Sequence, residues 1–191
     1  MDLNTIFFIG PQGSGKGTQA RLLAKKLGFY YWEMGAILRE VGKENSKLGK
    51  EVKNMVDNGI LLPDEMLYEV VESKLSEIPS NKGVIFDGIP RRIGQAEFLL
   101  TYLTTQGRKN FTTLFIDLPK EESEKRLLLR AKKEGRADDT KETIANRLKQ
   151  FYYATWPVVE FLKQRSNFIE IDGSPALEEV TQTINLKLEL I

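Results

Sequence analysis

The sequence predicts an α/β fold, a parallel five-stranded sheet with helices on both faces, on three observations. Short apolar runs rich in β-formers alternate with segments of helical period. A glycine-rich loop joins the first of these runs to the first helical segment. Several runs end in Asp, at the carboxyl edge where open parallel sheets bind ligands. With 191 residues, no internal repeat and no Pro/Ser-rich linker, one domain spanning 1–191 is expected.

The elements follow in order. Thr5 to Ile9 is the first strand, and Gly10-Pro11-Gln12-Gly13-Ser14-Gly15-Lys16-Gly17-Thr18 is the loop after it. In the next helix Ala20, Leu23, Ala24 and Leu27 keep the i, i+3, i+4, i+7 spacing, and Gly28 marks its stop. Phe29 to Trp32, a weaker run, supplies a fifth strand. Residues 33–62 break the alternation with short helices and glycines at 35, 42, 49 and 59, and read as an insertion over the carboxyl edge. Val84 to Phe86 is a strand ending at Asp87, and Ala96, Leu99, Leu100 and Leu103 form the apolar stripe of the helix behind it. Leu114 to Ile116 is the next strand, followed by the basic segment Arg126 to Arg136, a second insertion. Asp139 with Glu142 reads as a capping box opening a long helix through Leu148 and Phe151, kinked at Pro157. Phe168 to Ile171 is the last strand, and Leu177, Val180, Ile184 and Leu188 stripe the last helix.

Charge and composition exclude several functions. Lys plus Arg number 28 and Asp plus Glu 27, so the net charge of +1 sets up no global field for nucleic acid or an anionic membrane. Any anion site has to be local. No run approaches the roughly 18 apolar residues of a membrane span, and Asp2 stands where a signal peptide carries positive charge. A cytoplasmic protein is expected. The absence of Cys and His removes disulfides, thiol chemistry, the common zinc sites and imidazole bases together. An enzyme with this sequence must run a reaction that needs none of them.

The loop fits the phosphate-binding pattern G-x-x-x-x-G-K-[ST] except at its last position, where Gly17 replaces the hydroxyl that commonly ligates Mg²⁺. Its glycines let backbone N–H groups turn toward a phosphate, the following helix offers its positive end, and Lys16 adds a point charge. Strands ending at Asp87, Asp117 and Asp172 each offer a carboxylate to a metal opposite that loop. Asp117 and Asp172 read more simply as turn starters, whereas Asp87 is followed at once by Gly88-Ile89-Pro90-Arg91-Arg92. Arg39, Arg91, Arg126, Arg130, Arg136 and Arg147 fall in the insertions or at element ends. Arg126 and Arg130, at i and i+4, share a helix face and can reach one polyphosphate. The run EKRLLLRAKKEGR has no aromatic side chain on which bases could stack, which argues against nucleic acid.

These motifs, in this order, resemble the adenylate kinase family of nucleoside monophosphate kinases in its short-lid form. GPQGSGKGTQA is similar to G-x-P-G-x-G-K-G-T-Q, MGAILRE to T-G-D-L-L-R, IFDGIPRRIGQAE to D-G-F-P-R-x-x-x-Q, and GRADDTKETIANRL to G-R-x-D-D with an arginine-bearing helix. LGKEVKNMVDNGILLPDE resembles the helix and turn of the monophosphate-binding segment. The resemblance implies a P-loop fold and the reaction Mg·ATP + AMP ⇌ 2 ADP, in a monomer acting on ATP and AMP/ADP. It also implies a monophosphate-binding insertion at 33–62 and a short lid at 127–136.

Residue by residue, the resemblance implies that Gly13, Ser14, Gly15, Lys16, Gly17 and Thr18 cradle the ATP phosphates. Arg126 stacks on the ATP adenine, near Gly173, and Arg130 meets the phosphates. Arg136 and Arg147 clamp the group in flight. Arg39 and Arg91 hold the AMP phosphate, while Met34, Ile60, Leu61, Leu62 and Gly88 line the nucleoside and Gln95 reads the adenine edge. In this family glycine after the loop lysine is usual, and Mg²⁺ is held by ATP phosphates and by waters anchored on the strand-end Asp, here Asp87. No structural zinc is implied. Met34 departs from the usual Thr, Ala36 from Asp and Ile89 from Phe, which bears on base selectivity and closure rather than on reaction type. A kinase preferring UMP or CMP is the neighbouring alternative. A silent nucleotide-binding regulator is the distant one, though Lys16 and the clamp arginines are all present.

Overall fold

The computed structural model describes residues 3–58, 60–134 and 140–190. Strands β1 (Thr5–Ile9), β2 (Tyr30–Glu33), β3 (Val84–Asp87), β4 (Phe111–Asp117) and β5 (Asn167–Asp172) form one parallel sheet in the order β2-β3-β1-β4-β5. All five runs expected from the sequence are strands, including the weak one at 29–32.

Period-two alternation sends β1 side chains into two cores. Ile6 and Phe8 face a layer made by α1 (Lys16–Leu27) and α9 (Leu177–Lys187), packing with Ala20, Leu23, Val180 and Ile184. Phe7 and Ile9 face the opposite layer, built on α4 (Asp64–Ser76), α5 (Ile93–Thr105) and α8 (Trp156–Lys163), with Trp32, Phe86, Leu99 and Phe115 fully or almost fully buried. A central strand buried on both faces is largely apolar, as Ile6 to Ile9 are, and the buried Thr5 hydroxyl donates to Asn4 Oδ1 at 3.0 Å.

Between β2 and β3, α2 (Met34–Val41) and α3 (Lys47–Asp57) pack on each other before the chain returns to α4. Helix α6 (Lys120–Glu134) runs unbroken through residues 127–134, so the described part of the second insertion is a helix end. Helix α7 (Lys141–Gln150) starts one residue later than the expected capping box. Its N-cap is Thr140, whose Oγ1 accepts the Thr143 N–H at 3.1 Å, and Asp139 lies outside the described residues.

The irregularity expected at Pro157 precedes it. Phe151–Thr155 is a π-helical turn, with the Trp156 N–H donating to the Phe151 carbonyl. Proline has no N–H to continue the ladder, and its ring displaces the carbonyl one turn back, so the preceding residues widen. On α9 the buried stripe starts at Val180, since Leu177 is 42% exposed at the helix's first residue.

Candidate functional site

The strand order turns back on either side of β1, and this places the loop after β1 beside the end of β3. Phe8 pairs in register with Asp87, two residues before the loop begins at Gly10. The loop backbone is left-handed at Gly13 (φ 87°) and Gly15 (φ 85°), conformations that glycine adopts without steric cost. It leads directly into α1, whose N-terminal N–H groups carry the helix's positive end. The Ser14 hydroxyl is buried and has no hydrogen-bond partner. A buried unpaired polar group is costly, and a phosphate oxygen at the loop would satisfy it.

Gly17 now has a structural reason. A Cβ at this position would lie 3.0 Å from Asp87 Oδ2 and 3.7 Å from the Tyr31 hydroxyl. The carboxylate cannot easily yield, because the Tyr31 hydroxyl donates to Oδ2 at 3.0 Å. A Ser or Thr at position 17 and a strand-end Asp at position 87 therefore compete for one space. Asp87 and its hydrogen bond raise the Tyr31 phenol above its usual range, the largest cause being burial. Tyr31 is a site residue that sequence reasoning missed; in YYWE it reads as one more strand aromatic.

Lys16, Gly88, Arg91, Phe151 and Thr155 line a cleft that also includes Gly10 and Gln12. The Lys16 ammonium donates to the Pro11 carbonyl at 3.3 Å. Burial lowers its pKa to about 8, Asp87 opposes that shift, and Arg91 and Arg130 add to it. Arg91 is also lowered, by burial first, with Asp87 opposing and Arg147 contributing. Residues from four elements thus feel one another's charge at one place. Arg91 is oriented by its own turn, Nε donating to the Gly88 carbonyl at 2.9 Å, and its carbonyl accepts the Thr155 hydroxyl at 3.2 Å from the π-helical turn.

Arg126 and Gly173, 47 positions apart, are in direct contact. Nη1 donates to the Gly173 carbonyl and Nη2 to the Ser174 carbonyl, both at 2.9 Å, while Nε donates to Glu122 Oε1 at 3.1 Å. Asp172 behaves as a turn starter, its Oδ1 accepting the Ser174 N–H at 2.8 Å. Arg39 pairs with Glu33 at 3.1 Å on a half-exposed surface, and Glu33 also takes Arg21 at 3.3 Å.

Met34 is buried and its sulfur accepts the Trp32 indole N–H at 3.4 Å. A Cβ at Gly88 would lie 3.5 Å from the Met34 Cβ, so this side chain borders the Gly88 turn. Gln95 is buried, with both ends of its amide engaged by Arg91 and Asp64. Ile60 is exposed, Leu61 half-buried and Leu62 buried. Arg136 lies outside the described residues.

Among the described residues no group of three or more Asp, Glu, His or Cys side chains could hold a metal ion, and no helix is long and apolar enough to cross a membrane.

A phosphate loop at the turning point of a parallel sheet, with half-buried cations gathered beside it, defines a nucleotide-binding α/β protein of the phosphoryl-transfer class. The adenylate kinase family model matches residues 8–167. The chain is 38% identical over 187 residues to the adenylate kinase of Phocaeicola vulgatus, covering 98% of each chain. It is 39% identical over 182 residues to that of Bacteroides fragilis, covering 95% of this chain and 96% of the relative. With the enzyme of Thermus thermophilus it shares 37% over 183 residues, 96% of each. The chain belongs to the adenylate kinase family and is a nucleotide-binding phosphotransferase.

The crowding at Gly17 gives a first prediction. Gly17→Ser, which restores the commoner loop residue, obliges the Asp87 carboxylate to give by a few tenths of an ångström and should lower turnover by up to about tenfold, less than the ~10²-fold of a full ångström displacement. Steady-state rates across a Mg²⁺ titration check this, and unchanged or improved turnover contradicts the steric account.

The lowered Lys16 pKa gives a second. The charged ammonium is the form that neutralises phosphate, so kcat/KM for ATP should fall as pH rises through about 8. Bound phosphate favours the ammonium, so the limb in kcat should move to higher pH. Parallel pH profiles of the two parameters test it, and a flat kcat/KM up to pH 10 excludes it.

Proposed function

We propose that the chain catalyses reversible transfer of the γ-phosphoryl group of Mg-ATP to AMP, giving two ADP. The observation that carries this reading is the convergence of Lys16, Asp87, Arg91, Arg130 and Arg147 at the phosphate loop in a chain without His or Cys. A phosphate monoester has its second pKa near 6, so the attacking oxygen of AMP is already ionised at neutral pH and needs no base. The transfer then demands positioning and neutralisation of charge. Lysine and arginine supply both.

On the ATP side, Gly13 to Thr18 hold the phosphates and Lys16 follows the transferring group. Arg126 is held by its edge to Gly173, Ser174 and Glu122, which leaves a planar face on which the adenine stacks. Arg130, Arg136 and Arg147 clamp the group in flight. On the AMP side, Arg39 and Arg91 take the phosphate, Ile60 to Leu62 and Gly88 border the nucleoside against Met34, and Gln95 meets the base.

The residues fit Mg²⁺. Asp87 offers hard carboxylate oxygen beside the loop, fixed by Tyr31. Among the described residues no group of three or more Asp, Glu, His or Cys side chains could cage a metal, so the ion would be held mainly by phosphates and water, with Asp87 orienting that water. When bound, the ion spreads the charge of the β- and γ-phosphates. The segments 33–62 and 127–136 close over the two nucleotides and exclude water that would hydrolyse ATP; adenylate kinase lid closure is itself a standard example of such motion. The same reading takes the protein to act as a cytoplasmic monomer, as the sequence leads one to expect.

Lys16→Met should reduce kcat by several orders of magnitude with the fold retained by circular dichroism. Arg147→Ala should reduce it within ~10³ to 10⁵, the range for arginines that stabilise a phosphoryl group in flight. A loss confined to KM assigns Arg147 to ground-state binding instead.

ADP formation over AMP, CMP, UMP and GMP tests the acceptor. AMP should be used best, and Gln95→Leu should erode its lead. Met34→Thr should raise the preference for AMP while costing stability, since the buried Trp32 indole N–H loses its acceptor, at about 1 to 3 kcal/mol. UMP outperforming AMP in the native chain transfers the reading to a pyrimidine nucleotide kinase. Absence of ADP with every acceptor leaves a nucleotide-binding regulator.

A further inference from the structure

A primary amide is nearly symmetric in shape. Its C=O and NH₂ exchange by a half-turn about a broad, two-fold terminal torsion. A glutamine free to turn therefore reads a 6-aminopurine and a 6-oxopurine equally well. In one pose of the base, adenine offers a ring acceptor beside an amino donor, and hypoxanthine offers a ring donor beside a carbonyl acceptor. The two need opposite orientations of the amide. Discrimination requires that the amide be prevented from turning.

Gln95 is so held. It is 3% exposed; its Oε1 accepts the Arg91 backbone N–H at 2.9 Å, and its Nε2 donates to Asp64 Oδ1 at 2.9 Å. A backbone N–H can only donate and an ionised carboxylate can only accept, so chemistry fixes the orientation. Turned over, the NH₂ would face the N–H and the C=O would face the carboxylate, losing both bonds and opposing both dipoles. Asp64 is itself positioned. It is the first residue of α4, where a carboxylate is favoured by the helix's positive end. Arg92 Nη1 donates to its Oδ1 at 3.3 Å and to the Leu62 carbonyl at 3.1 Å. One N–H of Nε2 and one lone pair of Oε1 remain for a ligand.

We propose that Asp64 sharpens purine specificity at the monophosphate site by completing, with the Arg91 backbone N–H, a lock on the Gln95 amide in the orientation that fits a 6-aminopurine and opposes a 6-oxopurine. The inference rests on the reading of Gln95 as the residue that meets the base. Asp64 acts through Gln95 and is a positioning residue.

The test compares kcat/KM and equilibrium dissociation constants for AMP and IMP, which differ at the edge in question. Asp64→Asn keeps shape and can donate or accept, so it removes one of the two bonds that oppose the turned amide and leaves the Arg91 N–H as the other. The IMP:AMP ratio should rise about tenfold or more, with an absolute gain for IMP that damage to the fold cannot produce. Arg92→Gln removes the other partner of Asp64 and should leave the ratio unchanged. If Asp64→Asn does not fold, Asp64→Ser, whose hydroxyl also donates or accepts, takes its place. Gln95→Leu should flatten the ratio alone and together with Asp64→Asn.

Equal losses for AMP and IMP in Asp64→Asn, with Gln95→Leu still flattening the ratio, overturn the lock and leave the reading of Gln95 standing. A ratio that Gln95→Leu leaves untouched removes that reading and the lock with it. A ratio shifted as strongly by Arg92→Gln overturns the lock in favour of general anchoring.

Discussion

Half-buried cations gathered beside the Asp87 carboxylate are the constraint on which this structure turns. Burial lowers the pKa of both Lys16 and Arg91, and Asp87 is the first group that works against it. Holding like charges this close is unfavourable unless something anionic answers them. Asp87 opposes the shift at both Lys16 and Arg91, and an anionic ligand at the loop would add to it. Much of the architecture follows from that arrangement: β1 and β3 must be neighbours so that Asp87 reaches the loop, position 17 must lack a side chain, and Tyr31 must come from the next strand to steady the carboxylate.

The parallel sheet makes this arrangement rigid. β1 is apolar on both faces and anchored by two separate cores, so the loop at its end starts from a fixed point. Arg91 is fixed three times over, by its Nε bond to Gly88, its N–H bond to Gln95 and its carbonyl bond from Thr155. The π-helical turn that carries Thr155 exists because Pro157 cannot continue the helical ladder. A local irregularity is thereby placed where it touches a site arginine, as π-turns often are.

The sheet was legible because each strand is a short run of β-formers between helical periods. The phosphate loop was legible because its glycines and lysine hold a fixed spacing. Side-chain partnerships were not. Tyr31 looks like any strand aromatic, Asp64 like any acid at the start of a helix, and the reason for Gly17 appears only when β3 is laid beside β1. Such pairs are 56, 31 and 70 positions apart, and no local pattern encodes them. The helix start at Thr140 rather than Asp139 is a different failure. Two adjacent residues both cap well, and composition cannot choose between them.

The two ends of the site are prepared to different degrees. Arg126 is held by three acceptors, so a base that stacks on it meets a surface whose orientation has already been fixed. Arg39 is half-exposed and shared with Arg21 in pairing to Glu33. Pairs of that kind stabilise by only about 0 to 1 kcal/mol, so a phosphate dianion can draw Arg39 from Glu33 at little cost. The insertion bearing Arg39 is joined to the remainder partly through Arg92, which bridges the Leu62 carbonyl and Asp64, the carboxylate that also accepts from Gln95. On the proposed reading, movement of that insertion toward a monophosphate would be tied mechanically to Gln95, so that the charge drawing the segment in and the amide meeting the base act through one set of contacts.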